Sequence, residues 1–229
     1  MLSYYHAGTD CSIFRSTELL ASAFSNRSID DEKIIALIPQ SVTEPELRKV
    51  VVLNSRQQGV EKNIGQGSLD IKYTEELPSR YSNCKSVFYN IQGAAELGEL
   101  YLKAAIIGWA MMTADKNQKW MKKVEQTGYL LKIDVILRSG LLVSRIITQR
   151  KQCALIHCET GTVGSSLVSS VAQIFIEPFY RTFDGFKALI NKEWAYFGYD
   201  FLFFNGIMGN SMEESQNKPA FIFFLDCVY

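Results

Sequence analysis

His157 and Cys158 close an apolar run, Cys153-Ala-Leu-Ile, and seven residues follow before the next apolar stretch: Glu159, Thr160, Gly161, Thr162, Val163, Gly164 and Ser165. A strand that delivers a thiol into a glycine-bearing loop ahead of a helix is the layout with which cysteine phosphatases cradle a phosphate. Loop N–H groups point inward, the helix N-terminus favours the anion, and the thiolate attacks phosphorus. In that layout an arginine six positions after the cysteine grips two phosphate oxygens in bidentate fashion. Position 164 is glycine here, and position 163, where an acid would protonate the leaving alkoxide, is valine.

Phosphoryl transfer leaves the protein little to do beyond positioning and charge stabilisation, so both replacements bear directly on rate. Removing one preorganised donor of this kind typically costs about 10²- to 10³-fold, and no glycine N–H reproduces a planar five-donor fork. A missing general acid costs about 10²- to 10⁴-fold. Multiplied, the losses reach about 10⁴ to 10⁷, an upper bound because groups that act as a unit are not additive. The expectation is trace turnover at most. Cys158 keeps its place ahead of a helix N-terminus, with the Glu159 charge beside it, and two readings stay open for it. It is either a residual nucleophile or a small buried residue that packs the loop.

At this point the chain resembles the myotubularin family of 3-phosphoinositide phosphatases, whose signature is His-Cys-Ser-Asp-Gly-Trp-Asp-Arg-Thr. His157, Cys158 and Gly161 match, and Ser165 stands where the family has Thr. Tyr180-Arg181-Thr182, Gly185-Phe186, Leu189-Ile190, Lys192-Glu193-Trp194 and Phe197-Gly198 follow at the family's spacing. Leu2-Ser-Tyr4, His6, Arg15-Ser16, Asn54-Ser-Arg56, Trp120, Val124, Thr127-Gly128, Ile133 and Asp226-Cys227-Val228 extend the resemblance over nearly the whole chain. The departures fall on the chemistry: Glu159, Thr160, Thr162, Val163 and Gly164 replace the family's Ser, Asp, Trp, Asp and Arg. Downstream, Tyr199, Asp200, Phe203 and Phe204 stand where imidazole and basic groups would be, and the family's Lys-Gly-Gly-Gly is thinned to Asn63-Ile64-Gly65-Gln66-Gly67.

The resemblance implies an α/β fold, with a cysteine-phosphatase-like central sheet flanked by helices in a partial myotubularin-type phosphatase domain. It further implies a single domain over residues 1–229, without the family's N-terminal pleckstrin-like domain and without the C-terminal end of its catalytic domain. The chain is then either a reduced member or a fragment. Stripped counter-charges on a kept fold resemble the catalytically dead branch of the family. That branch implies a cytoplasmic protein that binds an active family member, reaches endosomal membranes through partners, and touches phosphoinositide weakly through the N–H groups of residues 158–165. The alternatives are an active phosphatase acting through Cys158 on phosphatidylinositol 3-phosphate or the 3,5-bisphosphate, in which another basic residue fills the cradle, and a different Cys158 chemistry such as sulfur transfer. For that basic residue Arg181 lies beyond a whole helix and Lys151 precedes the strand, so neither has an obvious path.

The elements that must position the loop follow from composition and periodicity. The chain has 229 residues, 47% hydrophobic and 21% charged, enough for one sizeable core. Lysine plus arginine equals aspartate plus glutamate at 24 each, so no bulk basic field draws it to nucleic acid or an anionic leaflet. Five scattered cysteines without a Cys-x-x-Cys pair and only two histidines point to a reduced protein with no metal site, and nothing in the sequence implies a cofactor. The longest apolar run, residues 104–112, is about half of the roughly 20 a membrane span needs, so it reads as core and no transmembrane segment is expected.

Residues 28–31 ahead of Ile34, Ile35, Leu37 and Ile38 read as a capped helix start. Lys49-Val-Val-Val-Leu53 and residues 86–90 read as strands, with a loop over 56–68. Trp120, Val124, Leu131, Val135, Leu142 and Ile146 recur at helical spacing and predict one long helix with a core-facing stripe. Residues 165–176 predict the helix behind the loop, ended by Pro178, and 183–197 another carrying a core Trp194. Residues 208–218 read as a polar loop. The apolar, aromatic stretch 220–225 predicts a buried strand.

Overall fold

The computed structural model describes residues 1–17, 29–55, 83–91, 93–113, 120–204 and 219–229. The expected loops over 56–68 and 208–218 and the cap at Ser28 lie outside these residues, as do Asn63 to Gly67. Five strands form one sheet in the order β1-β2-β5-β3-β4, where β1 is Leu2–His6, β2 Cys11–Ser16, β3 Val50–Asn54, β4 Cys84–Phe88 and β5 Cys153–His157. β1 pairs antiparallel with β2 across a tight turn, and the other neighbours are parallel. β5 lies at the centre, with Ala154 opposite Ile13 on one side and Val51 on the other. Both central strands, β3 and β5, are buried along their whole length, as expected of unbroken apolar runs covered on two faces. This mixed sheet between helices is the α/β architecture the sequence implied.

Helix α1 (Ile29–Leu37) opens with Asp30, Asp31 and Glu32 at the positive end of its dipole. Helix α2 (Ala94–Thr113) contains the apolar run expected to be core, and here the structure corrects the expectation. Leu97 is buried and Leu100, Tyr101 and Ala104 pack on the core, but Ile106 and Trp109 lie on the far face, Trp109 72% exposed. A run apolar on every side cannot bury more than one face of a surface helix.

The single helix expected from Trp120 to Ile146 is two, α3 (Trp120–Gln126) and α4 (Tyr129–Thr148), broken at Gly128, whose φ of 80° ends one helical path before the next begins. The break also shifts the stripe. Of the expected stripe Trp120 and Leu131 are exposed, whereas Val135 and Leu142 pack on the core and Ile146 is fully buried, and α4 also buries Tyr129, Lys132, Ile136, Ser139, Gly140, Val143 and Ile147.

Helix α5 (Gly164–Ile176) runs from the loop and packs along α4, its first ten residues buried, and Pro178 follows its end. Helix α6 (Phe183–Ile190) is capped by Thr182, whose hydroxyl accepts from Gly185 N at 3.1 Å, and continues through a wider turn over Asn191–Tyr196 that sets Trp194 fully into the core. Helix α7 (Phe201–Phe204) is a single turn. The expected C-terminal strand is a helix, α8 (Ala220–Val228). Ala220, Phe223 and Phe224 recur at helical spacing and are the residues it buries, Phe223 against Tyr129 and Phe224 against Phe186 and Trp194. A face that packs rings at three- and four-residue intervals outweighs the strand preference of aromatic residues. Tyr129 Oη donates to Asp226, tying α8 to the start of α4.

Candidate phosphate-binding loop

Cys158 follows the last residue of β5 and is buried, 4% exposed. Its thiol donates to Ser165 Oγ at 3.5 Å and accepts from Ser165 N at 3.4 Å, so the first turn of α5 holds the sulfur at the helix N-terminus. Ser165 Oγ in turn donates to the Gly161 carbonyl at 2.6 Å, and Gly161 N donates to Cys158 O at 3.2 Å, which closes the loop on itself. Gly161 has a φ of 72°, and a Cβ there would meet Thr17 N at 3.1 Å and the Ser16 carbonyl carbon at 3.2 Å. Both the left-handed conformation and the close approach demand glycine.

The structure gathers residues 157–165 into one turn. His157, Val163, Gly164 and Ser165 are buried, Glu159 and Thr160 exposed, and Gly161 and Thr162 half-buried. The Thr160 and Thr162 hydroxyls share a hydrogen bond of 3.0 Å on the outer rim. The wall opposite the helix is built by Ser55, Tyr89 and Ile91. Ser55 N and Tyr89 Oη both donate to the His157 carbonyl at 3.2 Å, and burial, with the nearby Cys158 thiol second, holds the Tyr89 phenol protonated far above its usual range. A Cβ at Gly164 would meet Cys158 Cβ and Ser55 Cβ at 3.4 Å and Ile91 O at 3.5 Å, all ordinary contacts, and Gly164 is not among the glycines of positive φ. A Cβ therefore fits at 164 without moving the backbone.

A second set of groups grips the loop from outside. Arg15, near the end of β2, donates through Nη2 to the Gly161 carbonyl at 2.9 Å and to Ser166 Oγ at 2.5 Å. Through Nη1 it donates to Glu193 Oε2 at 2.9 Å and to the Glu193 carbonyl at 2.8 Å, and its guanidinium lies 5.2 Å from the centre of the Phe197 ring. Arg15 is 2% exposed and Glu193 fully buried. Ser3 Oγ donates to Glu193 Oε1 at 2.7 Å, and Lys192 Nζ reaches Gln173 Oε1 at 2.5 Å and Tyr180 Oη at 2.9 Å. The sequence matched Arg15 and Glu193 to family positions but gave them no role. An arginine among the apolar residues of a buried strand is the one signal that could have marked Arg15 as paired.

Neither basic residue considered at the sequence level enters the cradle. Arg181 donates to Ile174 O at 3.1 Å on the surface, and Lys151 lies ahead of β5, at the far end from the loop, paired with Glu44 at 3.6 Å. Lys132 is buried in α4 and fastens the connector after β4, donating to Asn90 O at 3.0 Å and Glu96 Oε1 at 2.9 Å. Tyr199 packs in the aromatic core, 5.0 Å from Trp194 and 4.9 Å from Phe204 between ring centres, and burial pushes its hydroxyl up to about 12. Phe203 is exposed. Among the described residues no group of three or more His, Cys, Asp or Glu is placed to hold a metal ion, and no helix is long and apolar enough to cross a membrane.

The arrangement sets a thiol at the start of α5, with neutral side chains at 163 and 164 and a carboxylate at 159, while the amides of Gly161, Thr162 and Ser165 are engaged by Cys158 O, Thr160 Oγ1 and Cys158 Sγ. The family described as the myotubularin-like phosphatase domain matches residues 1–229. The phosphatidylinositol-3,5-bisphosphate 3-phosphatase MTMR6 of Caenorhabditis elegans is 27% identical over 232 residues, covering 100% of this chain and 32% of the relative. The phosphatidylinositol-3,5-bisphosphate 3-phosphatase MTMR8 of Homo sapiens is 29% identical over 233 residues (100% and 31%), and myotubularin of Xenopus laevis is 25% identical over 232 residues (100% and 36%). The chain spans about a third of the length of these curated relatives.

Proposed function

The chain belongs to the myotubularin-like phosphatase family, and we propose that within it this protein is a non-catalytic member, a pseudophosphatase that acts through protein partners. The partner we propose is an active phosphoinositide 3-phosphatase of the same family, whose activity or location it adjusts. The protein is then cytoplasmic and peripheral at endosomal membranes through that partner. The supporting observation is the pairing of a fully folded cradle with Val163 and Gly164 at its two charge-bearing positions. Without a guanidinium the anion is held by amides alone, and without an acid the inositol alkoxide leaves unprotonated. The two losses together reach at most about 10⁷-fold. What remains is weak phosphoinositide contact through the N–H groups of residues 158–165.

A second reading is favoured by the sulfur's setting: Cys158 keeps its hydrogen bond from Ser165 N, the arrangement a nucleophilic thiol needs. On that reading the protein hydrolyses the 3-phosphate of phosphatidylinositol 3-phosphate or the 3,5-bisphosphate. Phosphate release from both lipids decides between the two. We expect wild type to match Cys158→Ala, whereas turnover lost on that substitution would overturn the pseudophosphatase reading. Co-precipitation with an active family member tests the partner, and a monomer that recovers none contradicts it.

A further inference from the structure

The second half of α2 and the whole of α3 form a helical hairpin beside the core. A helix rises about 1.5 Å per residue, so α2 climbs about 20 Å from Leu100 to Thr113. At Gly128, just past α3, the chain is level with Leu100 again, since a Cβ there would meet Leu100 Cδ2 at 3.5 Å. Helix α3 packs on α2 and so runs back along it. Among the described residues the core takes Leu97, Leu100, Tyr101 and Ala104 from α2, nothing after Ala104, and nothing from α3. Both legs are nevertheless apolar. Leu102, Ile106 and Trp109 share one face of α2 at helical spacing and are exposed, Ile106 by 67%, and Trp120 and Met121 are exposed on α3.

Charge is concentrated in the same stretch. The chain is neutral overall, yet residues 103–126 hold Lys103, Lys116, Lys119, Lys122 and Lys123 against Asp115 and Glu125 alone. Lys122 and Lys123 are exposed on α3, and Lys103, paired with Glu99 at 3.5 Å, on α2. Size then selects the occupant. A stable protein interface buries about 800 Å² per partner, drawn from about 20 residues or more. Five large apolar side chains on two short legs fall short of that, whereas a bilayer accepts each one singly and needs no matching surface.

We propose that the α2–α3 hairpin is a membrane-docking element that seats its apolar side chains in the interface of a bilayer containing anionic lipid. Trp109 and Trp120 lie at the level of the headgroups, which suits a large ring with one polar N–H. Leu102, Ile106 and Met121 reach the acyl boundary. The lysine stems lie along this apolar surface and their ammonium groups meet the lipid's negative charge. Neutrality of the whole chain does not oppose the contact, because charges beyond about 8–10 Å are screened. The hairpin acts without the 158–165 loop and without a protein partner.

The test floats the full chain with phosphatidylcholine vesicles, with and without phosphatidylserine, so that no phosphoinositide is present. We expect flotation with the phosphatidylserine vesicles and quenching of tryptophan emission by brominated acyl chains. Ile106→Asp, at an exposed position, should weaken binding at least about tenfold with thermal unfolding unchanged. Lys122→Gln combined with Lys123→Gln should weaken it about fivefold per lysine, on the anionic vesicles alone. A wild-type chain that does not float overturns the proposal, as does either variant binding like wild type. Self-association without flotation, abolished by Ile106→Asp, would overturn it in favour of a second copy of the chain on the hairpin.

Discussion

The outer and inner faces of the 158–165 loop have fared differently. Outside, Arg15, Glu193, Ser166 and the Gly161 carbonyl form a closed set of short hydrogen bonds with almost no solvent access. Inside, the positions that would meet an anion carry an isopropyl group and a hydrogen atom. The contrast teaches that shaping a loop and charging it are separate tasks given to separate residues. The groups that shape it are paired and buried, so their loss costs stability. Positions 163 and 164, where a charge would stand, make no such bonds through their side chains, and on our proposal the loss of charge there leaves the fold intact.

The most severe way to break this contrast is on the outside. Arg15→Met removes the hydrogen-bonded cation from the fully buried Glu193 carboxylate, leaving it Ser3 Oγ at 2.7 Å and Lys192 Nζ at 3.5 Å, and we expect a loss of about 3 kcal/mol in urea unfolding. A loss below about 1 kcal/mol would mean that the network does not hold the loop. Next in size, Gly161→Ala forces an alanine into the left-handed region against residues 16 and 17 and should cost about 1–3 kcal/mol. Thr182→Ala, a cap remote from the loop, should cost about 1 kcal/mol by the same assay and serves as the scale for an ordinary local contact. At the small end, Gly164→Arg should change stability by less than about 1 kcal/mol, since its Cβ meets only ordinary contacts. A large loss there would show that the glycine is needed for packing and that the inner face is not free to vary.

The same division explains what was legible in the sequence. The strand, loop and helix around Cys158 could be read because local signals agree: five buried residues in a row, a glycine where φ must be positive, and a proline beyond the helix end. Arg15 was opaque because its meaning lies in Glu193, 178 residues away along the chain. The 220–225 stretch was misread because phenylalanine content favours a strand, while the rings it had to meet, Tyr129, Phe186 and Trp194, sit at intervals that only a helix satisfies. Trp109 was misread as core because a run apolar all round does not say which side is covered. The stripe assigned to one long helix slipped because Gly128 resets the helical phase.

The central claim is that the loop is built to hold an oxyanion and lacks only the charge to do so. It is tested most directly by titrating tungstate, an inert phosphate mimic, into wild type and Gly164→Arg by calorimetry. The account predicts that the variant binds at least about 100-fold more tightly, in line with the worth of one preorganised donor, at unchanged thermal stability. Equal affinities, with wild type binding as tightly as the variant, would contradict it, because another group would then already supply the missing cation.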